Sequence, residues 1–443
     1  MKKKLIGIFI CTLLIATALP VTGTIITVTN CENKSVSYDL LDGGWLEERD
    51  GVEILFINGS YYEMGYQHGY LLKDEIQENI RAFIKYAEEL TSYETLLEMW
   101  NTTKQYIPSC YTTEMQGIAD GANASLEKLA ISYMTILQMD MQCFSYAAWS
   151  EATENGRLYH IRSLDFPLII KDPVTGKYIQ ENSVLIVRKP DDGLKSIVPS
   201  MAGWINFYEG INEKQVSIGV QVCWSSDQTL KGIPVQFRVQ KILDSAKDAD
   251  DAINIMTSNK TLGWNFIISD AKTRVGYAVE TTANHTYVGS WNNSVEEKHP
   301  FWKIKNIVRR TNFFIHPTLA ATQRTRYNPG GIIGFLKLFT GDSFFPLWRK
   351  YKSMSQEIQR NWGDIDLNSS ISLLRKVYTG KTDLFMFIFV SLNKRGILSD
   401  FHQWSACPET GDFVISFADA ESYAHENQLH YFNINGLFET DHV

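Results

Sequence analysis

After its first 23 residues the chain has no apolar run of about 18 residues, the length a helix needs to cross a bilayer, so no membrane span is expected in the mature chain. It also lacks any Lys/Arg cluster longer than a dipeptide beyond Lys4, and with 42 basic against 50 acidic residues its formal net charge is −8. A chain without a basic face has no electrostatic footprint for a polyanion, and no nucleic-acid partner is expected. Cysteine is scarce, six in 443 residues, and no two stand in a CxxC spacing. That spacing gives no support to a metal site, and neither metal nor cofactor is expected. No cysteine is surrounded by a Cys-Gly-Ser-Cys-Trp-like helix start, which leaves a papain-type Cys/His protease without support. Internal repeats, low-complexity tracts and Pro/Gly/Ser linkers are missing too, so nothing divides the chain into separate bodies.

What is present begins with Met-Lys-Lys-Lys, an apolar run from Leu5 to about Pro20, and then Val-Thr-Gly-Thr. A charged start, a short apolar centre and a small-residue exit form the pattern of a signal peptide over 1–23, with an uncleaved anchor as the alternative. Export would permit disulfides among Cys31, Cys110, Cys143, Cys223 and Cys407, although an odd count leaves one unpaired unless it bonds another chain. Asn-x-Ser/Thr triplets at Asn33, Asn58, Asn101, Asn123, Asn259, Asn284, Asn292 and Asn368 suit an exported glycoprotein.

Hydrophobic periodicity predicts a strand over 52–57, then, after Gly65 and Gly69, a helix carrying Ile76, Ile80, Phe83 and Ile84 on one face. A second helical region runs over 112–141 and breaks at Gly121. From there the pattern changes to strands over 183–188, 215–223, 264–269, 275–280, 384–392 and 413–417, with helices over 234–246 and 250–257 and a helical insertion over 331–375. A mixed α/β layered body is the simplest reading.

The most informative stretch is QCFSYAAWSEATENGRLYHIRSLDF, from Gln142 to Phe166. Asn155-Gly156 is a two-residue hairpin signal, since both positions tolerate the positive φ of a type I′ turn. A turn there would pair Glu154 with Arg157 and Cys143 with Leu168, leaving Asp165 about 10 Å along the neighbouring strand from the partner of Cys143 at roughly 3.3 Å per residue. One hairpin would then gather a thiol, Arg162 and Asp165. A guanidinium beside a thiol favours the thiolate, the form that acts as a nucleophile, and a carboxylate can orient the attacking group. His160 reads as an ordinary strand residue.

This stretch resembles the nucleophile segment of the penicillin acyltransferase-like, C45-type peptidases, which are N-terminal-nucleophile hydrolases more distantly related to choloylglycine hydrolases, penicillin V acylases and acid ceramidase. INGSYYEMGYQHGYLLKDEI, YEGINEKQVSIGV, GIPVQFRVQKILDSAKDADDAINIM, FIISDAKTRVGYAVETT, RRTNFFIHP and ATQRTRY resemble further elements of that family in the same order. The resemblance implies a four-layer αββα sandwich of two packed antiparallel sheets under helices. It also implies a precursor in which Cys143 attacks the carbonyl of Gln142, cutting the chain into a small chain, 24–142, and a large one, 143–443, that form one domain. The freed α-amine, with an ordinary pKa of about 7.7–8.0, would then serve as general base to its own thiol.

Carried over by resemblance, Cys143 is the nucleophile, Arg162 and Asp165 poise its thiol and amine, Asn312 supports the oxyanion, and Arg324 or Arg326 is the late arginine of the site. Asn212 and Tyr208 fit motif positions as possible oxyanion or substrate contacts, with a turn role equally open for Asn212. The sequence departs from the family pattern at Gln142, where glycine is frequent, at Phe166 for tryptophan, at Phe313 for histidine, and at Lys272-Thr273-Arg274, which delays Gly276. The expectation is a secreted enzyme cleaving or transferring an acyl group at a linear amide of a small-molecule or lipid-like substrate, with oligomeric state open. A phospholipase B-like ester hydrolase and a non-catalytic secreted binding protein are the alternatives.

Overall fold

The computed structural model describes residues 38–139, 141–324, 336, 344–382, 384 and 400–440. The signal peptide expected over 1–23, Cys31, Arg326 and, apart from its first residue, the strand expected over 384–392 lie outside the described residues. Residues from Asp39 onward form one unit built on two sheets.

The first sheet has nine strands in the order β1 (Trp45–Arg49), β2 (Val52–Gly59), β5 (Ser183–Pro190), β6 (Ser196–Met201), β7 (Glu209–Asn212), β8 (Val216–Val222), β9 (Trp264–Asp270), β10 (Val275–Thr281), β11 (Thr286–Gly289). The second has six, in the order β12 (Ile307–Arg310), β3 (Gln142–Ser150), β4 (Gly156–Asp165), β13 (Asp400–Cys407), β14 (Asp412–Phe417), β15 (His430–Asn433). Their inner faces pack through β3 on β8 and β9 and β12 on β9 and β10. Helices α1 (Tyr61–Leu71), α2 (Lys73–Ala87), α3 (Tyr93–Thr103), α4 (Ser109–Gly121), α5 (Leu126–Thr135), α6 (Val235–Ser245) and α7 (Ala249–Thr257) build the layer over the nine-stranded sheet. The helix Leu367–Tyr378 lies on β4, β13 and β14, backed by the helix Phe344–Arg360. This is the expected αββα layering, with one departure: β2 runs parallel to β5, because α1 to α5 and the β3–β4 hairpin lie between them and carry the chain back to the same end. Among the described residues no helix is long and apolar enough to cross a membrane.

Two features correct the reading of the early segment. Gly65 and Gly69 do not precede the first helix but lie inside α1, whose N-terminus is capped by Ser60 and Glu63. They face Gly117 and Gly121 of α4: a Cβ on Gly65 would stand 2.1 Å from the Glu114 carbonyl oxygen, and one on Gly117 2.3 Å from that of Tyr62. Only glycine allows two helix backbones to approach so closely.

Strand alternation prepares the site. In β8, Val216, Ile218, Val220 and Val222 join the core beneath the helices, while Ser217, Gly219 and Gln221 face the other sheet. There Gln221 donates to Ser145 Oγ at 2.6 Å, and a Cβ on Gly219 would meet Arg162 Cδ at 2.9 Å. The glycine is the gap that admits a guanidinium between the sheets.

Candidate active site

Cys143 is the second residue of β3, and the β3–β4 hairpin sets its surroundings. The register differs from the expected one: Cys143 pairs with Leu164, Gln142 with Asp165 and Ser145 with Arg162. The connection is wider than a two-residue turn. Ser150 adopts φ +52° and shifts the register, Thr153 bonds back to Ser150 and Arg157, and Glu154 N–H donates to the Ile365 carbonyl. Asn155-Gly156 closes only the second half of this loop, with Gly156 at φ +72°.

Of the three residues expected to gather there, Cys143 and Arg162 share the face toward the nine-stranded sheet, with Arg162 Nη2 3.3 Å from Cys143 Sγ. Asp165 faces the opposite side, toward the outer helices. It accepts from Ser163 Oγ at 3.2 Å and Tyr378 Oη at 2.5 Å, and its other oxygen is ion-paired with Lys350. Arg162 itself is fully buried and ion-paired through Nε with Glu209 Oε2 at 2.7 Å. Glu209 in turn takes Trp404 Nε1 at 2.6 Å and bonds to His402 Nε2. Burial pushes the Cys143 thiol above its ordinary range, and Asp165 acts the same way, while Arg162 and Lys350 oppose them. Arg162 therefore works in the expected direction, but desolvation outweighs it.

The backbone of Cys143 is held from the β12 side. Its N–H donates to Asn312 Oδ1 at 2.6 Å, and Thr311 Oγ1 donates to its carbonyl at 2.8 Å. Asn312 Nδ2 reaches the Val222 carbonyl at 2.9 Å and that of Met141 at 3.4 Å. Two buried residues fix this segment. Asn265 Nδ2 donates to the carbonyls of Thr311 and Phe313 at 2.8 and 2.7 Å. Glu280, ion-paired with Arg310 at 2.9 Å, accepts the N–H groups of Ile315 and His316, both at 3.0 Å. Asn265→Leu would strand two buried carbonyls at a cost of about 1–3 kcal/mol and loosen the segment carrying Asn312. Denaturant unfolding and turnover should both fall, and unchanged turnover would show that Asn312 keeps its place without this clamp.

Tyr208 and Asn212 have separate environments. Tyr208 is buried at φ +74°, its ring stacked on Trp264 at 5.9 Å, and its hydroxyl has no hydrogen-bond partner among the described residues. Burial pushes that hydroxyl well up, with Tyr133 and then Cys143 adding to the effect. Asn212 ends β7 and its side chain holds the turn into β8: its amide donates to the Ala246 carbonyl at 2.8 Å and its oxygen accepts from Lys214 and Val216 N–H, both at 3.1 Å. Arg324 is exposed, its guanidinium 5.6 Å from the Trp224 ring and bonded to Gln228 at 3.0 Å. It lines a cavity of about 330 Å³ whose apolar wall is Met99, Leu137, Trp224, Leu230 and Leu262. Trp224 stands two residues past Val222, whose carbonyl meets Asn312.

Sequence reasoning did not single out Glu209, Lys350, Tyr378, Thr311 or Asn265. The detectable signal was a lysine on an apolar stripe: Leu347, Tyr351, Met354 and Ile358 are buried at helical spacing, and Lys350 shares their side. Among the described residues no group of three or more His, Cys, Asp or Glu is placed to hold a metal ion.

The fold and site together define a two-sheet α+β protein with a buried cysteine nucleophile candidate backed by arginine. No protein-family model matches the chain. An uncharacterized protein of Archaeoglobus fulgidus is 24% identical over 420 residues, covering 84% of this chain and 64% of that protein. Protein dcd1B of Dictyostelium discoideum is 28% identical over 242 residues, covering 47% and 46%, and protein dcd1A of the same organism is 22% identical over 426 residues, covering 86% of each. The chain thus spans less than two thirds of the length of the first two relatives. Among solved structures it is similar to a Caenorhabditis elegans ortholog of N-acylethanolamine-hydrolyzing acid amidase, at 13% identity and TM-score 0.40, covering 64% of this chain and 97% of that one. A variant of conjugated bile acid hydrolase from Clostridium perfringens matches at 13% identity and TM-score 0.31, covering 68% and 96%.

Proposed function

We propose that this chain is an exported, self-processing cysteine amidohydrolase of the N-terminal-nucleophile kind, acting on an acyl amide through Cys143. One observation carries the reading. The backbone nitrogen of Cys143 has its own side-chain acceptor, Asn312 Oδ1 at 2.6 Å, on the same residue whose thiol meets a buried arginine. The ladder between β3 and β12 ends at Ser145 and Arg310, so the acceptor for this nitrogen is a side-chain oxygen and not a strand carbonyl, and the same oxygen is placed to orient the nitrogen once it is a free amine.

Self-cleavage begins when Sγ attacks the Gln142 carbonyl carbon and the acyl group passes from nitrogen to sulfur. Water then cleaves the thioester, giving a Gln142 carboxylate and the α-amine of Cys143. In turnover that amine takes the thiol proton, Sγ attacks the substrate carbonyl, and the developing oxyanion takes a hydrogen bond from Asn312 Nδ2. The carbon–nitrogen bond breaks as the leaving amine receives the proton, and water releases the acyl group from sulfur. Cleavage after Gln142 leaves the small chain packed in the domain but lets its new C-terminal end, with the Met141 carbonyl, draw away from Asn312 Nδ2, which frees this donor for substrate. The apolar cavity beside Trp224 suits the acyl chain or an apolar leaving group.

The test pairs N-terminal sequencing and intact mass of the purified protein with a matched amide and ester of one long-chain acyl group. The expected outcome is a second N-terminus at Cys143 and cleavage of the amide. An uncut chain with full amidase activity sinks the self-processing mechanism, and ester cleavage alone moves the assignment to a lipid esterase.

A further inference from the structure

Lys350 is a full charge inside the protein: its side chain is 0% exposed, that of its partner Asp165 3%, and the two form an ion pair. Its ammonium also lies 4.4 Å from the centroid of the Tyr378 ring, while the Tyr378 hydroxyl bonds the other Asp165 oxygen. Taking an ammonium out of water costs several kcal/mol, and an apolar residue would fill this place on the helix Phe344–Arg360 without that cost. The charge therefore needs a reason, and its position supplies one. Asp165 stands directly across from Gln142, beside the peptide bond that precedes Cys143.

Each charged group around Cys143 has a partner of opposite sign. Arg162 is matched by Glu209, which also bonds to His402 on β13. Asp165 is matched by Lys350 and hydrogen-bonded by Tyr378 from the neighbouring helix. Asp400 on β13 is matched by His425, Nδ1 to Oδ1 2.7 Å. Beyond these, Cys223 just after β8, Glu280 on β10 and Arg310 on β12 complete the set, with Arg310 paired to both Glu280 and Glu296, and Tyr208 adds a hydroxyl. Removing Lys350 alone would leave Asp165 as an unmatched anion within electrostatic reach of the thiol, the direction in which Asp165 already acts on Cys143.

We propose that Lys350 is a positioning residue of the nucleophile site: its ammonium neutralises the Asp165 carboxylate, so that the Cys143 thiol and, after cleavage, the α-amine face no unmatched negative charge and release their protons more readily. The proposal rests on Cys143 being the nucleophile. An anion beside either group favours its protonated form, which is the wrong form for a thiolate that attacks and for an amine that must accept a proton. Asp165 alone would hold the amine protonated from across the sheet, whereas Asp165 with its lysine adds no net charge there, and orientation is left to Asn312.

The test reads the thiol directly, as the rate of Cys143 alkylation by iodoacetamide against pH, with the modified peptide identified by mass. Lys350→Met is expected to move the midpoint upward by about one pH unit, the size of one unmatched charge several ångströms away inside a protein. Lys350→Met combined with Asp165→Asn removes both charges and should return the midpoint most of the way. Asp165→Asn alone leaves the ammonium unopposed and should move it downward, which keeps a test available if Lys350→Met does not fold. A midpoint unmoved by the single substitutions, or a double variant as shifted as Lys350→Met, overturns the proposal and makes Lys350 a packing residue only. Because the readout is the thiol and not amide turnover, a chain that never cuts itself refutes self-processing while leaving this test intact. An unmoved midpoint in a chain that does cut itself removes the role of Lys350 alone.

Discussion

Cys143→Ala is expected to remain one uncut polypeptide and to lose amide hydrolysis by a factor on the order of 10⁴–10⁶, the scale seen when a covalent nucleophile is deleted. The structural cost should be far smaller. The side chain is small, and its one hydrogen-bonding contact among the described residues is Arg162 Nη2 at 3.3 Å. Losing that acceptor strands a buried donor for about 1–3 kcal/mol, while Arg162 keeps its ion pair with Glu209. Thermal unfolding should therefore show a folded, modestly destabilised protein with no second N-terminus and almost no turnover. A variant that still cuts itself, or that hydrolyses the amide at the natural rate, would remove Cys143 from the mechanism. A variant that loses activity only because it unfolds would show a collapsed unfolding transition, so the two causes are separable in one preparation.

The parts of the molecule that short-range pattern encodes were legible in the sequence. β5, β8, β9 and β10 fall within a residue or two of the spans that alternation predicted, and so do α6 and α7. Cys143 and Arg162 were found because they lie 19 residues apart on adjacent strands of one hairpin. The register of that hairpin was not legible, since it shifts at Ser150, φ +52°, and its loop is held by bonds linking Ala152 with Gly363 and Glu154 with Ile365, more than 200 residues downstream. Asp165 was named, but its facing was not, because its partners Lys350 and Tyr378 arrive from helices 185 and 213 residues away. Asn265 looked like any buried strand residue until the 311–313 carbonyls were laid beside it. The glycines of α1 and α4 were visible, yet only their mutual approach explains why they stand inside helices.

Glu209 gives the largest expected loss of stability. It is fully buried, paired with Arg162 at 2.7 Å, and the acceptor for Trp404 Nε1 and a partner of His402. Glu209→Ala leaves a guanidinium in the protein interior without its carboxylate, a change worth about 3–5 kcal/mol in buried pairs, and a donor on Trp404 without an acceptor. Against a total stability of roughly 5–15 kcal/mol for a globular protein, such a loss puts the chain near the edge of folding. Glu209→Gln keeps the volume and one acceptor oxygen but not the charge, so it should lie between the natural chain and the alanine variant in denaturant unfolding. Pairing Glu209→Leu with Arg162→Met removes both charges at once. That double variant should be more stable than Glu209→Ala, because the cost comes from a charge left alone and not from the absence of a pair. It should nevertheless hydrolyse no faster than either single variant, since the thiol has lost the cation at 3.3 Å. If the double variant proves the least stable of the set, the Arg162–Glu209 pair is a net contributor to folding, and the charge belongs to the architecture as much as to the nucleophile.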